Sequence, residues 1–133
     1  MKRWLVLLAL LGCVAADEVL TPLPDPTLVV AYDSTDAVAH WFSAEVTDWR
    51  QGVTFTWVVT LCETALETCT DPFSSRTEMI PRQHVGVLIS TLNDVVGLAL
   101  YCSTAQAAGG EAFVVFAAAL PKSEPEQAEH KVC

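Results

Sequence analysis

The chain has 133 residues, a hydrophobic fraction of 52%, and sixteen acidic residues against seven basic ones, for a formal net charge of −9. An acidic excess of this size excludes the basic stripe that phosphate binding needs, so nucleic acid is not an expected partner. The length is sufficient for one domain with its own hydrophobic core.

The chain begins with Lys2 and Arg3, an apolar run from Trp4 to Leu11, and Val14-Ala15-Ala16 before Asp17. A positive n-region, an apolar stretch too short to span a bilayer and a small-x-small cleavage site read together as a secretory signal over residues 1–16. Processing after Ala16 leaves five basic residues against sixteen acidic ones, a net charge of −11. It also leaves four cysteines, Cys62, Cys69, Cys102 and Cys133, in a compartment where disulfides persist. Leu10-Leu11-Gly12-Cys13 is also similar to a bacterial lipobox, which would anchor the chain in a bacterial envelope through a lipid on Cys13. The bulky Leu11 and the lack of a polar tether after Cys13 favour the ordinary signal and a secreted, extracellular protein. No later segment reads as a membrane span, because the apolar run from Val95 is interrupted by Cys102-Ser103-Thr104-Ala105-Gln106 and by Gly109-Gly110-Glu111. Asn93 precedes Asp94-Val95, so there is no N-glycosylation acceptor.

Residues 17–26 carry prolines at 22, 24 and 26 and predict an extended lead-in. A strand is expected from Thr27 to Tyr32, then a turn at Asp33-Ser34-Thr35-Asp36. Val38 to Val46 reads as the next strand. Val53 to Leu61 alternates plainly, with Val53, Phe55, Trp57, Val59 and Leu61 on one face and Thr54, Thr56, Val58 and Thr60 on the other. Asp48-Trp49-Arg50-Gln51 between them fits a four-residue hairpin loop. That register sets Val46 opposite Val53, Ala44 opposite Phe55, Phe42 opposite Trp57 and His40 opposite Val59. It sends Ala39, Trp41, Ser43 and Glu45 outward.

Further strands are expected at His84 to Thr91, Val95 to Cys102 and Ala112 to Leu120, the last apolar on both faces as in a central strand. Residues 121–133 are polar and acidic and read as a tail. Several short strands without a convincing amphipathic helix predict an all-β fold, an antiparallel β-sandwich over 27–120.

The Trp57 strand, Leu98-Ala99-Leu100-Tyr101-Cys102 and Ala112-Phe113-Val114-Val115-Phe116 resemble extracellular immunoglobulin-like modules, especially those of the polycystic-kidney-disease and egg-jelly-receptor type. The chain departs from the antibody pattern in that Trp57 precedes all four cysteines instead of lying between two of them. The resemblance implies binding or spacing without catalysis.

Four cysteines allow three pairings. Cys62 continues the outward face of its strand, whereas Cys102 continues the more apolar face of its own, so a core bridge between them would need a bulge. Cys62–Cys69 with Cys102–Cys133 is the favoured arrangement, and an interchain bond through Cys133 is the alternative. Cys62 and Cys69 lack zinc-finger spacing. Ser90 follows Gly86-Val87-Leu88-Ile89, which is not a nucleophile elbow. His40 lies on an apolar face, His84 opens a strand and His130 sits in the tail, and none is placed as a catalytic base. Asp33 and Asp36 supply too few oxygens for calcium. No cofactor or metal is expected.

The composite expectation is a secreted or envelope-anchored binding module that recognises a protein partner and is not an enzyme. The alternative is a small-molecule carrier with an apolar cavity between the strands. Trp41 on the outer face, with Trp49 and Arg50 at the loop tip, are the expected binding residues, since exposed tryptophan and arginine are enriched at interfaces.

Overall fold

The computed structural model describes residues 22–133. The signal sequence, Cys13 and the start of the lead-in lie outside them. In chain order the elements are β1 (Thr27–Thr35), β2 (Ala39–Thr47), β3 (Phe55–Glu63), β4 (Thr68–Cys69), β5 (Ser74–Glu78), β6 (Arg82–Leu88), α1 (Ile89–Val96), α2 (Leu98–Ala107), β7 (Ala112–Ala119) and β8 (Glu126–Lys131).

Two antiparallel sheets pack face to face. One is three-stranded in the order β1-β2-β6. The other runs β4-β3-β7-β8, with β5 also paired to β3. The all-β sandwich expected from the strand pattern is the observed architecture.

The expected hairpin is not observed. Residues 48–54 carry the chain from one sheet to the other, so β2 pairs with β1 and β6 while β3 pairs with β5 and β7. Alternation reports which side chains point inward but not which strand lies alongside. The inward sets are therefore as read: Phe42, Ala44 and Val46 from β2 meet Phe55, Trp57 and Val59 across the core. The Phe42 ring stacks on Phe116 at 5.5 Å, and Trp57 lies 5.8 Å from the same ring. Each fully buried phenylalanine stabilises the fold by about 1.5–3 kcal/mol.

Three further expectations are corrected. The strand expected to reach Thr91 ends at Leu88, where α1 begins. Val95 to Cys102 is helical, not extended: Gly97 adopts a left-handed conformation (φ 59°), which closes α1 and opens α2. In α2 the residues Leu98, Tyr101, Cys102 and Ala105 recur at helical spacing and make the packed face. The segment read as a tail contains β8, an edge strand on β7 whose Ala128 and His130 turn inward between exposed neighbours, followed by the half-buried Val132. Strand β7 is central in its sheet, with β3 along one edge and β8 along the other.

Both favoured disulfides are present, Cys62–Cys69 and Cys102–Cys133. The first links cross-strand neighbours of β3 and β4. The second ties α2 to the end of β8, beside a small cluster of Cys102, Ala105 and Ala112.

Candidate functional site

The outer face of the three-stranded sheet carries a linked set of aromatic and ionisable side chains. Parity in β2 sends Trp41, Ser43 and Glu45 outward, and across the ladder from them stand Gly86, His84 and Arg82 of β6. The Trp41 ring lies against Gly86 and stacks on the His84 imidazole at 5.0 Å. Its Nε1–H donates to Asp36 Oδ2 at 2.9 Å. Asp36 Oδ1 accepts from the amides of Val38 and Ala39 at 2.8 and 2.9 Å, so one carboxylate both shapes the β1–β2 turn and holds the indole. These bonds keep the Asp36 carboxyl below the usual carboxylate range, Trp41 contributing most and then the two amides. His84 Nε2 lies 2.7 Å from Asp33 Oδ2, reaching across β2 to β1.

Behind this face, at the same turn, the other two histidines meet. His40 is buried on the inward side and shares a 2.9 Å hydrogen bond with the Thr35 hydroxyl. Thr35 also bonds the Tyr32 hydroxyl at 2.6 Å and His130 Nε2 at 3.4 Å. The His130 ring stacks on Tyr32 at 4.2 Å and lies 4.8 Å from His40. Burial, and then the proximity of His130, lower the His40 pKa below the ordinary 6.5. This cluster fastens β8 to β1 and β2, and so joins the two sheets.

Of the expected binding residues, only Trp41 belongs to this face. Trp49 follows β2 at its far end, about 20 Å along the strand from Trp41. It packs half-buried against the core, and its Nε1–H donates to the Val53 carbonyl at 2.9 Å. Arg50 donates to the carbonyls of Pro24 and Asp48 at 3.1 and 3.5 Å. The fold thus separates these two residues from Trp41. His84, Asp33 of β1 and Asp36 in the β1–β2 turn join it instead, a grouping that needed the pairing of β2 with β6; the turn expected at Asp33-Ser34-Thr35-Asp36 begins only after Thr35, where β1 ends. The space between the sheets, where a carrier would hold its ligand, is filled by Phe42, Phe55, Trp57 and Phe116.

Among the described residues no group of three or more His, Cys, Asp or Glu is arranged to hold a metal ion. No family model, curated protein or solved structure matches the chain. The resemblance to polycystic-kidney-disease or other immunoglobulin-like modules therefore has no support beyond the antiparallel sandwich itself.

Proposed function

We propose that the chain is an exported, non-catalytic binding module that recognises a protein partner through the outer face of its three-stranded sheet, with Trp41 as the anchor. The observation that carries this reading is the fixing of Trp41 by Asp36, His84 and the bare backbone of Gly86. A large aromatic already held in place loses little freedom on binding, and such anchors contribute about 2 kcal/mol or more at an interface. Asp33, Asp36 and Glu45 around it, and the acidic chain as a whole, favour a basic or neutral partner.

Two disulfides are compatible with an oxidising compartment. Among the described residues no helix is long and apolar enough to cross a membrane. Export after cleavage behind Ala16 accounts for the disulfides. Trp49 and Arg50 have no contact role in this reading, because Trp49 is engaged by its own loop and Arg50 by that loop and the Pro24 carbonyl.

The test compares immobilised wild-type and Trp41→Ala chains for proteins recovered from the extracellular fluid of the source, read by quantitative mass spectrometry. A protein enriched by wild type and reduced at least ten-fold by the folded variant supports the reading. Equal recovery by both overturns it.

A further inference from the structure

The inward face of β3 runs Phe55, Trp57, Val59, Leu61 and ends on Glu63, a carboxylate only 5% exposed. Glu63 Oε1 accepts from the Leu66 amide within the loop that Cys62–Cys69 closes. Its other oxygen, Oε2, is buried without a hydrogen-bond partner, and among the described residues no other buried side-chain oxygen or nitrogen is left so. A buried acceptor without a donor is costly, and native proteins provide one for nearly all such atoms.

Glu63 lines a cavity of about 240 Å³ with Leu66, Val96, Leu100, Tyr101 and Thr104. The floor is acidic. The rim is apolar and open, since Leu66 and Leu100 are 54% and 76% exposed. Tyr101 does not satisfy Glu63, because its hydroxyl is directed at the carbonyls of Leu61 and Thr68 at 3.3 and 3.4 Å. Burial raises the Tyr101 pKa above the ordinary phenol value, offset in part by the Thr68 side chain, and the nearby Glu63 carboxylate adds to the rise. Both disulfides brace the cavity, one closing the loop of Leu66 and the other holding α2 at Cys102, next to Tyr101.

The geometry points to a binding site here for a small primary amine on a short aliphatic stem, its ammonium donating to Glu63 Oε2 and its stem lying along Leu66, Val96 and Leu100. An ammonium supplies the donors that the carboxylate lacks and balances its charge, while the stem covers exposed apolar surface. Oε2 is out of reach of water, so binding requires side chains of the cavity wall to move. The site lies apart from the Trp41 face and does not rest on the function proposed for that face.

The test titrates hexylammonium, hexanol and hexanoate into the disulfide-bonded chain and follows backbone amide shifts. Hexylammonium should bind saturably at one site, with the largest shifts at residues 63–68 and 96–104, and at least ten-fold more tightly than the other two. Glu63→Gln should weaken it ten-fold or more, and Leu100→Ser, at an exposed position, three-fold or more. A capped lysine binding as tightly as hexylammonium would place the same amine chemistry on a partner's side chain, whereas weaker binding assigns it to a free small amine. Three results overturn the proposal: no localised shifts with millimolar hexylammonium, hexanoate binding equally well, or a folded Glu63→Gln chain that binds undiminished. Should Glu63→Gln fail to fold, the ranking of the three probes and the Leu100→Ser chain decide.

Discussion

The ring of Trp41 occupies the volume that a side chain at Gly86 would need: a β-carbon there would sit 2.7 Å from Cζ3 and 2.8 Å from Cη2. The two residues are directly opposed across β2 and β6. Gly86 is therefore required for space and not for its backbone angles, and the indole lies low because its neighbour has no side chain.

Gly86→Ala should lift the indole off β6 and loosen its hold on Asp36. The expected cost is about 1–2 kcal/mol, read by urea unfolding, with a shifted Trp41 emission. An unchanged emission spectrum would show that the ring does not depend on this contact.

Trp57→Ala should destabilise by about 3–5 kcal/mol, because the ring is 7% exposed and packs on Phe116. Trp57→Phe isolates a second effect. The Trp57 Nε1–H donates to the buried Glu78 Oε2 at 3.0 Å, and losing that donor should cost about 1–3 kcal/mol even where volume is nearly kept. Losses below about 1 kcal/mol in both variants would contradict the assignment of Trp57 to the core.

His40 links stability to pH. Its folded pKa lies below the unfolded 6.5, so the unfolded chain binds the proton first as pH falls. Stability from this group is complete above that value and declines as pH drops below it toward the folded pKa. His130 from β8 and Thr35 from β1 are the groups against the ring. His40→Gln should flatten the unfolding free energy between pH 7 and 5, and an equal slope in both proteins would exclude the linkage.

The inward residues can be read from sequence because burial imposes a period of two whatever the neighbouring strand, so Phe42 and Trp57 take the core positions that alternation gives them although their strands never pair. Pairing was hidden because a seven-residue connection can close a hairpin or cross between sheets. The helices were obscured by Val95-Val96 and by apolar residues on both sides of Leu98–Ala107, although Leu98, Tyr101, Cys102 and Ala105 have helical spacing. With Cys102 on a helix, the parity argument applied to it has no basis, yet the favoured pairing stands because Cys62 and Cys69 are cross-strand neighbours. Glu63 lay one step beyond Leu61, and extending the same alternation would have placed it inward.

The two disulfides should differ in worth. The bonded residues are 7 and 31 apart in sequence, so in the loop-entropy account removing Cys102–Cys133 costs about 1 kcal/mol more than removing Cys62–Cys69. Thermal melts of the two paired Cys→Ser variants measure this difference. The reverse order would mean that native packing around Cys62, and not chain entropy, sets the ranking.

The Cys102–Cys133 bond also determines how the protein bears tension. A pull applied between the N-terminal lead-in and Cys133 passes from α2 through sulfur, so β7 and β8 hang outside the line of force within a covalent loop. The central strand of the larger sheet and its edge partner cannot be drawn out end to end until that bond is reduced, and reduction releases about 100 Å of extra chain. A cut in the exposed turn between β7 and β8 would leave both pieces attached through the same bond and the strands still zipped together.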